Sequence, residues 1–194
     1  MIKSIIFDCF GVLTTDTWRA FLDSLPADAD FDRARELNRQ RDAGLITTDD
    51  FLEQIEQLTG RRPQAVELQV TSDVIKNTAL LNYIRELKKS GYKIGMISNI
   101  ATNWVREKFL TPEEQALFDD MVFSYEIGTT KPDPHIFEVA YERLGVSPDH
   151  AVFIDDVDTY CEAARSLGMQ AIVYHDFTQM KQELERVLAA DSDN

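Results

Sequence analysis

Apolar and polar positions follow two rhythms along the chain. Short apolar runs rich in β-branched residues and bounded by turn residues predict buried strands over residues 4–7, 94–97, 121–123, 151–154 and 171–174. Between them lie helical spacings. Leu80, Leu81, Ile84 and Leu87 share one face that stops near Gly91, and Ile136, Phe137, Ala140 and Leu144 share another. The second begins at Asp133-Pro134 and ends at Gly145, which is the expected cap and stop chemistry. Strand alternating with helix predicts an α/β fold, a Rossmann-like doubly wound parallel sheet covered on both faces. Residues 14–78 break the rhythm, with helical stripes (Trp18, Phe21, Leu22, Leu25, then Phe51, Leu52, Ile55, Leu58) and no convincing strand. Thr47-Thr48-Asp49-Asp50 is a good start for the second stripe and Gly60 a stop. The expected organisation is therefore a core of residues 1–13 and 79–194 with a small all-helical cap, 14–78, inserted after the first strand. The last four residues read as a frayed tail.

Composition narrows the partners. Of 194 residues, Lys and Arg supply 20 and Asp and Glu 34, for a net charge of −14. Such acidity excludes nucleic acid as the main partner, because duplex binding wants a basic footprint. No apolar run approaches the roughly 18 residues of a membrane span, and the first residues are too short an apolar run for a signal peptide. Two cysteines, Cys9 and Cys161, offer neither zinc spacing nor a disulfide framework, so a reducing cytoplasm is expected.

In open parallel sheets, ligands bind at the carboxyl ends of the strands. Those ends carry Asp8, Ser98-Asn99 and Asp155-Asp156, and Lys131 lies in the loop after the third strand. Asp8 and Asp155 suit a hard cation such as Mg²⁺. The Ser98 hydroxyl and backbone N–H groups beyond it suit a phosphate oxygen, and Lys131 a balancing charge. A carboxylate can also attack phosphorus. Each residue has a plainer reading when taken alone: Asp8 as a turn carboxylate, Asp155-Asp156 and Ser98-Asn99 as helix starts, Lys131 as a surface lysine. Their common placement at one sheet edge raises the catalytic reading above these.

The stretch Ile5-Ile6-Phe7-Asp8-Cys9-Phe10-Gly11-Val12-Leu13 resembles the first motif of the haloacid dehalogenase-like hydrolase superfamily. Met96-Ile97-Ser98-Asn99 resembles its second, Lys131-Pro132-Asp133 with Ile136-Phe137 its third, and Phe153-Ile154-Asp155-Asp156 with Ala163-Ala164 and Gly168-Met169 its fourth. The resemblance, to the phosphatase-like branch with a helical C1-type cap, implies a Mg²⁺-dependent phosphomonoester hydrolase acting through an aspartyl-phosphate intermediate. Its substrate would be a small phosphorylated metabolite such as a sugar phosphate. It further implies Asp8 as nucleophile, Ser98, Asn99 and Lys131 on the phosphoryl group, and a metal held by Asp8, the Phe10 carbonyl, Asp155 and Asp156, the last directly or at one remove.

One residue departs from that pattern. The phosphatase branch usually carries a second aspartate two positions after the nucleophile as general acid and base, and here that position is Phe10. Phenylalanine carries no proton, and such catalysis contributes about 10²–10⁴-fold. Three readings follow. The first is a phosphatase whose leaving group needs little protonation, for which sugar 1-phosphates or acyl phosphates fit. The second is a non-catalytic protein that binds a phosphorylated ligand or a partner, and the third a 2-haloacid dehalogenase-like hydrolase. The pair Asp155-Asp156 argues against the last, since two carboxylates beside a nucleophilic one call for a cation. Thr159-Tyr160 stands where the family often has asparagine. Phe10 itself reads as an aromatic plug, Trp18 as cap packing, Arg33, Arg35, Arg39 and Arg41 as surface charge, and the cysteines as small buried hydrophobes. His135, His150 and His175 share no motif, and nothing in the sequence sets the oligomeric state.

Overall fold

The computed structural model describes residues 1–71 and 74–192. Five parallel strands, β1 (Ser4–Phe7), β2 (Lys93–Ser98), β3 (Asp120–Phe123), β4 (Ala151–Asp155) and β5 (Gln170–Val173), form one sheet in the order β3-β2-β1-β4-β5. This is the doubly wound, Rossmann-like arrangement, with the direction of winding reversing at β1. Side-chain alternation splits the core into two layers. Ile5 and Phe7 pack with Ile94, Met96 and Ile154 beneath α5 (Thr78–Lys89) and α10 (Phe177–Ser192). Ile6, Ile97 and Phe153 face the other way, toward α8 (Pro134–Arg143) and α9 (Asp158–Ser166). Two short helices, α6 (Pro112–Gln115) and α7 (Ser124–Ile127), complete the layer crossings.

Local chemistry sets the helix ends. The Asn77 side chain accepts from the Leu80 N–H to open α5, and Asp133 accepts from the His135 N–H ahead of Pro134. Gly95 on β2 is required by space, because a Cβ there would lie 2.8 Å from Leu144 Cδ1 and 3.2 Å from Ile6 Cγ1. The helix α8 layer therefore sits close against the strand at this point.

Four helices leave the sheet between β1 and β2: α1 (Thr17–Asp23), α2 (Phe31–Asp42), α3 (Thr48–Thr59) and α4 (Pro63–Thr71). They bury their own cluster, in which Phe21, Leu37, Phe51, Ile55 and Val66 are all but inaccessible. Thr47 and Asp50 form a reciprocal capping box at the start of α3, and Gly60 ends it in the left-handed region at φ 68°. The outgoing and returning segments run side by side. The Thr14 hydroxyl donates to the Ile75 carbonyl at 3.1 Å, and the Asn77 N–H donates to the Leu13 carbonyl at 2.9 Å.

The hydrophobic pattern does not announce α2 or α10. Helix α2 is largely charged, and only Ala34, Leu37 and Asp42 are buried along it, so its apolar stripe is too thin to read. Helix α10 runs through Ser192 where a frayed tail was expected; the last two positions of that tail, 193 and 194, lie outside the described residues. No described helix is long and apolar enough to cross a membrane.

Phe153 is fully buried at the centre of the sheet, edge-on to Phe137 at 5.1 Å. Phe153→Ala is expected to cost about 3–5 kcal/mol of unfolding free energy, and Phe153→Leu clearly less. Denaturant titration checks both.

Candidate active site

Register brings the first two carboxylates together. Phe7 pairs with Ile154 across β1 and β4, and the Asp8 N–H continues the ladder to the Ile154 carbonyl at 2.8 Å. Asp8 and Asp155 thus emerge side by side where the winding reverses. Lys131 enters from the loop after α7, and its Nζ lies 2.5 Å from both Asp8 Oδ1 and Asp155 Oδ2. All three residues are buried, with 5%, 0% and 2% exposure for Asp8, Asp155 and Lys131. The Lys131 Nζ also lies over the Phe153 and Tyr160 rings, at 5.5 and 5.1 Å from their centroids.

Neighbouring groups hold this arrangement. The Asn99 side chain clamps the Lys131 backbone, accepting from its N–H at 2.8 Å and donating to its carbonyl at 3.2 Å. Asp155 Oδ1 accepts from the Val157 N–H at 2.9 Å. Asp156 sits over Gly11, whose φ of 93° suits glycine and whose missing Cβ would fall 2.5 Å from Asp156 Cγ. Asp156 Oδ2 is 3.3 Å from Arg19 Nη1 on α1, an ion pair between the inserted helices and the sheet.

Burial pushes the Asp8 carboxyl well above the usual carboxylate range; Lys131 opposes that rise and Asp155 adds to it. Burial alone would lower Lys131, but Asp155 and Asp8 outweigh it and raise the ammonium above its ordinary value. Burial, with Asp155 close by, lifts Asp156 to about 6. Lys131 and Arg19 thus set two positive charges against three carboxylates. Ligand oxygens of Asp8, Asp155 and Asp156 all fall within 4.8 Å of one another. That all-oxygen set, under-compensated and shielded from water, fits a hard divalent cation. Beside it, the fully buried Ser98 hydroxyl at the end of β2 has no hydrogen-bond partner, as a group awaiting a ligand oxygen would.

The structure thus gathers Asp8, Lys131, Asp155 and Asp156 at one point. Asn99 and Phe10 line the cleft, whereas Ser98 is fully buried and does not line it. Asn99, expected on substrate, has its side-chain amide engaged by the Lys131 backbone. Phe10 is only half-buried and stacks on Trp104, with ring centroids 5.8 Å apart. The cleft measures about 860 Å³ and is roofed by α1 and α2, so Trp18, Arg35, Arg39 and Arg41 line it as well. Arg41 is no free surface charge. It is half-buried, 4.3 Å from the Phe51 centroid and paired with the buried Asp42. Trp18 does pack in the helical cluster, 5.0 Å from Phe21 and 5.8 Å from Phe51.

Arg19 and Trp104 were not legible as site residues, because no local pattern marks a side chain that reaches the cleft from another element; Tyr160 was marked only as a departure from the family's asparagine. Cys9 and Cys161 are buried hydrophobes whose thiols burial drives upward, Cys161 to about 12. Among the described residues, no histidine lines the cleft.

Comparison with known proteins agrees with this fold. The chain is 28% identical over 205 residues to a D-ribitol-5-phosphate phosphatase from Bacteroides thetaiotaomicron, covering 97% of this chain and 99% of that protein. It is 32% identical over 118 residues to the bifunctional epoxide hydrolase 2 of Sus scrofa, covering 57% of this chain but only 21% of that protein. Among solved structures, a HAD-like hydrolase from Porphyromonas gingivalis superposes with a TM-score of 0.74 at 20% identity, covering 97% and 98% of the two chains. A HAD family enzyme from Bacteroides thetaiotaomicron, crystallised with magnesium and inorganic phosphate, superposes at 0.65 with 22% identity, covering 93% and 99%. The haloacid dehalogenase-like hydrolase family matches residues 2–168. With its doubly wound sheet and the Asp8–Lys131–Asp155 cluster at the winding reversal, this chain belongs to the haloacid dehalogenase-like hydrolases.

Proposed function

We propose that the protein is a Mg²⁺-dependent phosphomonoester hydrolase in which Asp8 is the nucleophile. The observation that carries this reading is the buried Lys131 bridge between Asp8 and Asp155, with Asp156 close enough to share a cation. The phosphatase names of relatives support it, among them the D-ribitol-5-phosphate phosphatase and a glyceraldehyde 3-phosphate phosphatase from Methanothermobacter thermautotrophicus. So does the magnesium and phosphate complex of a structural neighbour.

Lys131 occupies Asp8 Oδ1, which leaves Oδ2 to attack phosphorus. The bond from Oδ2 to phosphorus forms as the ester P–O bond breaks, and the electron pair departs on the leaving-group oxygen. Lys131 and the Ser98 hydroxyl hold phosphoryl oxygens, and water then hydrolyses the aspartyl phosphate. Asp8, Asp155, Asp156 and the Phe10 carbonyl would hold Mg²⁺, which when bound neutralises carboxylate charge and polarises a phosphoryl oxygen. The helices over the cleft exclude water during attack. We assign residues 1–13 and 79–194 to the core and 14–78 to this cap, on the separate cluster around Phe51 and the paired crossing at Thr14 and Ile75.

Asp8→Asn should abolish phosphate release from a panel of phosphate esters by at least about 10³-fold with unchanged circular dichroism. Chelation should do the same to the wild type, with recovery on adding Mg²⁺. Wild-type protein that releases no phosphate from the panel would favour a binding role, and halide release from a 2-haloacid in the presence of chelator would establish the dehalogenase reading instead.

Phe10→Asp restores a proton donor two residues after the nucleophile. Its turnover of alkyl phosphates should rise, by up to about 10²–10⁴-fold, with a much smaller gain on p-nitrophenyl phosphate. Equal rates for Phe10→Asp and wild type on alkyl phosphates would remove the missing acid as the reason for slow turnover.

A further inference from the structure

The residue that replaces the proton donor is part of a larger aromatic surface. Phe10, Trp104 and Phe109 form a continuous stack, with centroids 5.8 Å and 5.2 Å apart and planes 25° and 15° from parallel. Phe109 is buried, which fixes the stack from behind, whereas Phe10 and Trp104 are half-exposed and line the cleft. Phe10 and Trp104 share the cleft with Asp8, Lys131 and Asp155, so this surface faces the same space as the phosphoryl site. An aromatic plug would be sealed; this one offers its exposed parts to the cleft.

The remaining walls limit what can lie there. Among the described lining residues, carboxylates outnumber cationic side chains. The cap arginines that reach the cleft are already paired, Arg19 with Asp156, Arg35 with Asp32, Arg39 with Glu36 and Arg41 with Asp42. Nothing here is arranged for a second anionic group on the substrate. A volume of about 860 Å³ accommodates a ring beyond the phosphate.

We propose that Phe10 and Trp104 form a leaving-group subsite for an uncharged planar ring, which makes the preferred substrate class aryl phosphate monoesters. This rests on the phosphomonoesterase reading above and names its substrate class. Chemistry and shape agree on the assignment. When Asp8 Oδ2 bonds to phosphorus and the P–O(aryl) bond breaks, the electron pair leaves on a phenolate oxygen. Its charge is delocalised into the ring, so departure needs no proton from position 10, and the phenolate takes its proton later from water. The ring that makes this departure easy is also the group that packs on the outer face of Phe10, whose inner face is covered by Trp104.

Binding of non-hydrolysable probes tests the subsite separately from turnover. With Mg²⁺ present, phenylphosphonate is expected to bind the wild-type protein about tenfold more tightly than methylphosphonate in calorimetric titration. Phe10→Leu keeps the apolar bulk and the backbone carbonyl without a ring, and the ratio should fall toward one; Phe10→Tyr should keep most of it. Equal affinities in the wild type, or a ratio unchanged in a folded Phe10→Leu protein, would overturn the proposal. Kinetics supplies the second arm. Phenyl phosphate should exceed ribitol 5-phosphate in kcat/KM by at least about 100-fold. Comparable values would also overturn it, since an aryl leaving group would then gain nothing from the site. Absence of hydrolysis on every ester together with a phenylphosphonate preference would refute the phosphatase reading and leave the aryl subsite standing.

Discussion

One ammonium group, the Lys131 Nζ, stands 2.5 Å from each of two buried carboxylates, and the geometry of the whole site follows from it. Asp8 and Asp155 end adjacent parallel strands, where like charges in a low-dielectric interior repel strongly. Without a cation between them, burial would force at least one to take up a proton. Removing one partner of such a buried pair typically costs about 3–5 kcal/mol, because the other charge is left uncompensated. Lys131 therefore cannot be a loosely placed loop residue. The Asn99 clamp on its backbone and the Phe153 and Tyr160 rings beside its side chain are the physical means by which it is held.

The same interaction links the sheet to the helices above it. Lys131 compensates two carboxylates, and Asp156 is left to Arg19 on α1, from the inserted helical unit. A second link lies across the cleft, where the Ser124 hydroxyl donates to the Asp42 carbonyl at 2.6 Å and accepts from the Ile100 N–H at 2.8 Å. The helical unit is seated on the sheet by polar contacts at its rim while its apolar residues are occupied with one another. Interfaces of that kind permit relative motion, because little apolar surface must be exposed to open them.

Much of the sheet was legible in the sequence because buried parallel strands are short, apolar and bounded by turn residues. The structure adds one residue at ends such as Lys93 and Asp155, and it shifts the last run to Gln170–Val173, leaving Tyr174 outside the strand. The helix signals at Thr47, Gly60 and Asp133-Pro134 were equally readable, being local hydrogen-bond and dihedral requirements. Helix α2 was not, since its register is set by packing of Leu37 and Arg41 against α3 rather than by an apolar stripe of its own. Of the site, residues that terminate strands could be listed in advance. Arg19 and Trp104 could not, because each reaches the cleft from an element whose position depends on the finished fold.

The amino-acid sequence by itself determined the alternation of strand and helix, the acidic and basic residues at the strand ends, and the absence of a proton donor at position 10. These are properties of residue type and spacing, written in one dimension. Only the tertiary structure decided that Lys131 bridges Asp8 and Asp155, that Asn99 is turned to the Lys131 backbone, and that Phe10 belongs to an aromatic wall with Trp104 and Phe109. Each of those facts joins residues far apart in sequence. Their contact depends on strand order, register and the path of the intervening chain, which no local pattern carries.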